Sequence, residues 1–591
     1  MFHYSKLLPL FFFINLFITF ALENEISLHS KFNQNLWLVL LHFKDGKSLI
    51  DDPSFFLSPE GKKNPYKELQ ATIRAINRNP YLRCKFPARA FFIEKFLKIN
   101  LPKVKCPELD KFLEEIKGEK ISLIFADYYI NSPASMFGHT FLRIYDREKN
   151  VYSFIVNYAA QVNDTNALIY AFKGLFGFYK GYYYISPYYQ KIKEYVGIEG
   201  RDLWEYELKV DREMLLLLKL HLWELKDKYS HYYFFHKNCS SEILYLLGIL
   251  KPNNSPHVRT PWVIPIDTIR AVLDKNLVRK INYYPSLLTQ LRYLSKHLKD
   301  DDVEKVINWA FDKSELPKNG SAFLYEFAAQ YVKFLYYSKD IDRRKYIKKY
   351  LYALKLRSKG GKINYSIKPE GYPHVSHRSQ RFSITYGFNK VTQYMDVSYR
   401  PAYHDLLDPP QGYKKNGEIV FSEISLRFLP KLHRFTIQDW KILRIISLEP
   451  MYSFYRPISW KVDFGFHEFL NDRGEKRKFL SITSGFGFSI GEKITSFSLG
   501  EIKVMHNFDG EMPIAVGLRI GLLKQGKIFS FISSISSGKY LKEFNEKYFF
   551  DYSLRFAFHI NRSLSVRFKT NYQLVGNKAS FEPSVSALIY F

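Results

Sequence analysis

Cys239 stands in the run Phe235-His236-Lys237-Asn238-Cys239-Ser240-Ser241-Glu242, just after a residue type that caps helices and just before apolar residues Ile243, Leu244, Leu246 and Leu247 at helical spacing. A cysteine in the first turn of a helix meets unpaired backbone N–H groups and the positive end of the helix dipole. Both favour the thiolate and are expected to lower the thiol pKa, and the thiolate is the nucleophile in covalent catalysis. Such a thiol needs a base. His139 follows the loop Asn131-Ser-Pro-Ala-Ser-Met-Phe-Gly and opens an apolar segment, so an imidazole is delivered to the start of a predicted strand. A lone cysteine is more often a small buried hydrophobe and a lone histidine is usually structural, and sequence spacing alone does not bring the two together.

Two further cysteines, Cys84 and Cys106, lie close to each other and far from Cys239. Their compartment decides what they do. Residues 1–21 carry Lys6, the apolar run Leu7 to Phe20 and the ending Thr19-Phe20-Ala21, the pattern of a secretory signal peptide. The mature chain is expected to begin near Leu22. The run is short for a bilayer span and no cysteine follows it, so neither an N-terminal anchor nor a lipoprotein processing site is indicated. In an oxidising compartment a Cys84–Cys106 disulfide is the economical pairing and leaves Cys239 as a free thiol.

Export also changes what the charge means. The 87 Lys+Arg against 58 Asp+Glu give +29, which in a nuclear protein would suggest nucleic acid. Outside the cytoplasm the abundant anions are phospholipid and lipopolysaccharide head groups, so a basic surface would lie against a membrane. Lysines spread along the whole chain are equally read as a general composition bias. Aromatic residues make up 18% of the chain, with 45 Tyr and 52 Phe, an excess that girdles at a membrane interface would absorb.

A length of 591 residues calls for several cores. Residues 22–117 read as a polar, helical leading domain with breaks at Asn79-Pro80 and Leu101-Pro102, stapled by its cysteines. Residues 118–284 form a sheet-based domain, with strands at Ile121 to Tyr129, Thr140 to Tyr145 and Val151 to Tyr158 and a helix at Glu213 to Tyr229. A helical connector at 285–362 carries the basic run Arg343-Arg344-Lys345 and ends at Gly360-Gly361. Beyond it, residues 363–591 alternate. Leu564, Val566, Phe568, Tyr572 and Leu574 oppose Ser565, Arg567, Lys569, Asn571 and Gln573, and Ser459 to His467 and Asp551 to Ile560 repeat the pattern. A soluble sandwich would alternate too. About twelve such segments between Arg381 and Phe591, near the ~9–11 residues of a tilted membrane strand, favour a transmembrane barrel. Phe591, ending an alternating strand, resembles the C-terminal signal of outer-membrane barrels.

Several motifs in one order carry a resemblance: Ser132-Pro-x-Ser-Met-Phe-Gly-His139, Gly181-Tyr-Tyr-Tyr with Pro187-Tyr188-Tyr189, Arg201-Asp202-Leu203-Trp204-Glu205-Tyr206, and Asn238-Cys239-Ser240. The stretch from about Phe86 to Arg270 resembles the periplasmic domain of Lnb-type lipoprotein N-acyltransferases. The resemblance implies a circularly permuted papain-like fold of the NlpC type, with histidine before cysteine, as His139 and Cys239 stand here. The expected fold class is therefore α+β, a permuted papain-like domain with flanking helices followed by an antiparallel barrel. The resemblance further implies that Cys239 takes an acyl chain from a phospholipid as a thioester and passes it to an amine such as a lipoprotein N-terminus, with His139 as general base. Asn157, on the next strand, is the first choice to orient His139, with Ser135 and Asp164 as alternatives. The backbone N–H of Cys239 could hold the oxyanion, with Asn238, Ser135 and Ser240 as support. Tyr182, Tyr183, Tyr188 and Tyr189 are candidates to line an acyl or head-group channel, or simply to pack the core.

The chain departs from that family in having β segments where C-terminal transmembrane helices would be, which leaves the acceptor, and transfer against hydrolysis, open. A cell-wall peptide amidase of the same fold is one alternative. An outer-membrane channel or assembly protein with a non-enzymatic papain-like module is another. A second polar cluster, Tyr399-Arg400-Pro401-Ala402-Tyr403-His404-Asp405-Leu406-Leu407-Asp408-Pro409, could bind a cation or act as acid and base, and a long barrel loop explains it as well. No zinc spacing, phosphate-cradling loop or nucleotide fingerprint is present, so no cofactor, resident metal or nucleic-acid partner is expected.

Overall fold

The computed structural model describes residues 34–129, 136–146, 153–164, 166–258, 260–361, 363–389, 392–542 and 548–591. The expected signal peptide and Ser135 lie outside the described residues. The chain divides into two units, Met1–Asp127 with Phe137–Tyr284, and Tyr128–Met136 with Pro285–Phe591.

The first unit is built on a seven-stranded antiparallel sheet. Its strands are β1 (Lys120–Ala126), β2 (His139–Tyr145), β3 (Phe154–Ala160), β4 (Tyr179–Pro187), β5 (Leu203–Leu208), β6 (Ser230–Tyr232) and β7 (Val278–Tyr284), in the order β6-β4-β3-β2-β1-β5-β7. The continuous apolar run of β1 follows from its central place, where both faces are covered. Around the sheet lie α1 (Gln34–Leu40), α2 (Pro65–Arg78), α3 (Pro87–Phe96), α4 (Pro107–Glu115), α5 (Ala167–Phe176), α6 (Arg212–Glu224), α7 (Cys239–Leu250) and α8 (Pro265–Asp274). Helix α7 packs on one face, against β2 and β3. On the other face Phe141 and Ile155 meet Tyr188 and Tyr195. There the buried Arg143 guanidinium pairs with Glu205 at 2.9 Å and lies over the rings of Tyr145 and Tyr188.

The leading helices belong to this same unit rather than standing apart. Fully buried Arg89 of α3 binds Glu68 at 2.6 Å, and its backbone N–H donates to Glu224 of α6 at 2.9 Å. Trp223 donates to the Cys84 carbonyl at 2.8 Å, and Cys84 is disulfide-bonded to Cys106 with a Cα–Cα separation of 5.4 Å.

The second unit holds α9 (Leu287–Ser295), α10 (Asp300–Ala310), α11 (Ala322–Tyr337) and α12 (Arg343–Lys359) around Leu291, Val306, Phe327 and Val332. It also holds a closed antiparallel barrel of twelve strands: β8 (Arg381–Phe388), β9 (Gln393–Arg400), β11 (Gly417–Leu429), β12 (Arg434–Ser447), β13 (Ser459–Leu470), β14 (Lys476–Ile490), β15 (Thr495–His506), β16 (Ile514–Lys524), β17 (Phe529–Lys542), β18 (Tyr548–Asn561), β19 (Leu564–Val575) and β20 (Lys578–Tyr590). Pairing of β8 with β20, and of β9 with β11 from Met395↔Phe428 to Tyr399↔Ile424, closes the ring. The short strand β10 (Ala402–His404) pairs with the end of β11.

Alternation sorts the two faces. Outward, β16 exposes Leu518, Ile520 and Leu522, and β14 exposes Phe486, Phe488 and Ile490. Inward, the same strands carry Arg519 and Thr483 into a charged lumen. Apolar outside and polar inside is the reverse of a soluble sandwich and is the pattern of a membrane barrel. No helix among the described residues is long and apolar enough to cross a membrane.

Candidate functional site

The thiol is placed by its helix. Asn238 caps α7, its side-chain oxygen accepting from the backbone N–H of Ser240 at 2.9 Å and of Ser241 at 3.2 Å, while the Ser241 hydroxyl accepts from the Asn238 N–H at 2.9 Å. The Asn238 amide nitrogen donates to the carbonyls of Phe234 and Val263, each at 2.8 Å. Both its hydrogens are thereby used. Asn238 holds the turn and has no donor left for an oxyanion, so its expected support is positional. Cys239 is the first residue of α7, 7% exposed, with its sulfur 3.8 Å from the Ser240 hydroxyl and accepting from the backbone N–H of Thr140. That N–H is free because β2 and β3 pair only from Leu142↔Val156 to Ile144↔Phe154 and part company beyond. The sulfur sits where the two strands diverge, one peptide from His139.

The imidazole is placed by the strand. Gly138 precedes it at φ +90, and a Cβ there would come within 2.7 Å of the Phe125 ring, so only glycine lets the chain enter β2 at this angle. His139 Nε2 meets the Asn157 amide oxygen at 2.6 Å, across the gap between β2 and β3. A carbonyl oxygen only accepts, so Nε2 carries the proton and Nδ1 keeps the lone pair, the tautomer a general base needs. Burial and the nearby Arg201 cation push the His139 pKa down to about 3, so the imidazole is neutral at physiological pH.

The thiol goes the other way. Burial raises the Cys239 pKa above its usual value, with the Thr140 N–H, Ser240 and Arg201 pulling against it. This corrects the sequence expectation: the helix start favours the thiolate, but desolvation of the sulfur outweighs it, and the resting pair is neutral thiol and neutral imidazole. Sequence reasoning assigned no role to Arg201, which acts on both groups. It is 2% exposed, donates to the Asp127 and Ala126 carbonyls, pairs with Glu199 at 2.8 Å and lies over the Tyr195 ring. Its signal in the sequence was its place at the entry to β5.

The remaining candidates scatter. Ser240 is fully buried with its hydroxyl 3.3 Å from that of Thr140. Asp164 binds Lys173 at 3.0 Å and accepts from Tyr179 at 2.7 Å, away from His139. The four tyrosines do not share a wall. Tyr183 donates to Glu242 of α7 at 3.0 Å, Tyr188 packs against Arg143 on the opposite face of the sheet, Tyr182 is half-buried, and Tyr189 is exposed. A different aromatic wall stands near the sulfur: Tyr170 of α5 and Tyr232 both feel its charge, and the backbone N–H of Cys239 bonds the Tyr232 hydroxyl. Helix α5 packs on Phe234 through Tyr170 and Gly174, and exposes Ile169, Phe172, Leu175 and Phe176 on its outer side, by 45%, 56%, 40% and 60%.

The second polar cluster is buried, and it is no open loop. Asp408 accepts from Arg400 at 2.6 Å, Arg381 at 2.9 Å, Arg567 at 3.2 Å, Tyr590 at 2.8 Å and the Asp405 N–H at 2.9 Å. His377 Nε2, His404 Nδ1 and an Asp408 oxygen converge as three metal ligands would, with His377 Nε2 2.9 Å from His404 and 3.8 Å from Asp408. The donor set does not fit a metal: every lone pair of Asp408 is already taken, and Arg381, Arg400 and Arg567 would repel a dication. These charges instead lock the segment after β10 into the barrel, where Leu406 and Leu407 pack on Phe497, Leu499 and Ile532.

Residues 108–275 match the Lnb N-terminal periplasmic domain family. That match covers β1 to β6 and contains the whole Cys239–His139–Asn157 group. Residues 31–96 and 370–590 match two families described as domains of unknown function, DUF7843 and DUF7840, the latter covering the barrel. No curated protein matches the chain. Solved structures similar to it include the porin NanC, 6% identical at TM-score 0.23 over 36% of this chain and 99% of that one. The COG4313 outer membrane channel of Pseudomonas putida F1 is 9% identical at TM-score 0.25 over 38% and 100%, and Omp33 of Acinetobacter baumannii is 9% identical at TM-score 0.20 over 37% and 100%. A periplasmic-domain match beside a closed, outward-apolar barrel places the chain in the cell envelope, at the outer membrane.

Proposed function

We propose that the first unit is a papain-like thiol acyltransferase, in which Cys239 takes an acyl chain from a phospholipid and delivers it to an amine, such as a lipoprotein N-terminus, or to water. The observation that carries this reading is the diverging end of β2 and β3, where the Cys239 sulfur accepts from Thr140 beside a His139 whose tautomer is set by Asn157. The sulfur attacks the ester carbonyl as its proton passes to His139 Nδ1. An S–C bond forms, the ester C–O bond breaks, and the lysophospholipid oxygen takes the proton from His139. The amine or water then attacks the thioester carbonyl, returning the thiol. The Cys239 backbone N–H, bonded to the Tyr232 hydroxyl at rest, serves the oxyanion once substrate displaces that hydroxyl.

The apolar outer side of α5 supports a lipid donor over a cell-wall peptide, since a helix that abuts the thiol on one side and exposes four large apolar residues on the other suits an acyl-chain interface. Turnover decides between these. Purified full-length protein should release lysophospholipid from vesicles and leave cell-wall peptides intact, and the C239A variant should do neither. Phospholipid turnover by C239A at the native rate contradicts the reading. Cleavage of cell-wall peptides by the native protein alone would assign the site to an amidase.

A further inference from the structure

The barrel encloses a charged lumen, a cavity of about 420 Å³, and its charges are nearly all matched. Of the lysines and arginines that line it, all but two lie within 4.0 Å of a carboxylate; Lys461 and Arg519 share Glu501, for example, and Arg444 pairs with Asp463. The exceptions are Arg555 of β18 and Lys569 of β19. Neither makes an ion pair among the described residues, and the Arg555 Nε is buried with no hydrogen-bond partner. The two stand directly opposite each other in the ladder and project to the same side, into the lumen. Like charges directly opposed across strands repel and destabilise a sheet.

The neighbouring carboxylates are spent elsewhere. Glu418, the acid whose charge acts most strongly on Arg555, accepts from the Leu406 N–H at 3.1 Å and faces Arg444 at 3.9 Å. Around Lys569, Asp439 binds Lys441 and His467, and Glu582 binds Lys476 at 2.6 Å. Among the described residues the partner of Lys569 is the neutral Asn571 amide, which in its flipped orientation brings its oxygen within 3.1 Å of the amine. Arg567 and Arg444 add further positive field at Arg555.

We propose that Arg555 and Lys569 form an oxyanion-binding site in the barrel lumen, for a small solute bearing a phosphate or carboxylate group. A guanidinium fork beside a point-charge ammonium suits either group, and the bound charge relieves the opposed pair. The site is independent of Cys239 and of the acyl-transfer reading.

Calorimetric titration of the full-length protein in detergent micelles tests this, with inorganic phosphate in one arm and succinate in the other, at constant ionic strength against chloride. Saturable binding of at least one anion is expected, weakened about tenfold in R555Q and in K569Q, as befits loss of one charge-assisted hydrogen bond. The arm that saturates identifies the group bound. C239A should bind as the native protein does. No saturation by either anion in the native protein overturns the proposal, as does unchanged affinity in both variants. Because native binding is itself a readout, a variant that fails to fold does not protect the proposal.

Discussion

At the residue scale the proposed site is a neutral thiol, bonded by the Thr140 N–H, and a neutral imidazole one residue before that N–H. Cys239, raised by burial, keeps its proton at neutral pH, so iodoacetamide should modify it no faster than free glutathione at pH 7, with the rate climbing above the usual thiol range. R201Q removes a cation that favours the thiolate and should slow that reaction further; faster modification in R201Q would contradict this electrostatic account. His139 titrates at about 3 when folded against an ordinary 6.5. Between those values the unfolded chain binds a proton that the folded chain refuses, so this group makes stability rise with pH across the window and fall as pH drops from 6.5 toward 3. The thermal midpoint of the first unit should therefore fall less steeply in H139Q than in the native protein over that range. An equally steep fall would mean that His139 is protonated in the fold. Sequence made the cysteine and the histidine legible as candidates because the chemistry open to them is written in residue type. It could not show the direction of the thiol shift, because desolvation of Cys239 is set by how α7 packs on the sheet and by the aromatic wall of Tyr170 and Tyr232, which meet only in three dimensions.

At the element scale, caps and staples position the site. Asn238 satisfies two N–H groups at the start of α7, so N238A should cost about 1 kcal/mol of stability. It should lower turnover more than stability alone accounts for, because it also releases the Phe234 and Val263 carbonyls that fix the turn before Cys239. Thermal unfolding and steady-state turnover on the same variant check the two parts. The Cys84–Cys106 bond spans a sequence separation of 22, and opening it with paired serine substitutions should cost about 3 kcal/mol, read as a lower unfolding midpoint. Strands β1 to β3 and helices α6 and α7 were legible from apolar runs and helical spacing. The divergence of β2 from β3 was not, since no residue pattern marks where a ladder stops. Nor was the attachment of the leading helices, which depends on Arg89 of α3 finding Glu224 of α6 far along the chain.

At the scale of the whole molecule, the barrel shows what alternation can and cannot say. Twelve strands and a polar lumen follow from period-two patterning in residues 363–591. The inward segment after β10 does not, because Leu406, Asp405 and Asp408 read as a turn-rich loop until Arg381 and Arg567 are seen to face them. An arginine on the outward face, as in L518R, should cost about 2–4 kcal/mol in bilayers if Leu518 faces lipid. Folding into vesicles followed by heat-dependent gel mobility measures that cost; native-like stability would put this face out of the membrane. The lipid donor of the thiol site is the claim on which the functional account stands, and one measurement addresses it with the full chain in its membrane. Incubate the reconstituted native protein with phospholipid vesicles, quench in acid and weigh the peptide containing Cys239. The account predicts a hydroxylamine-sensitive acyl adduct on Cys239 that is absent in C239A and strongly reduced in H139A. An unmodified Cys239 peptide during active phospholipid turnover would contradict it.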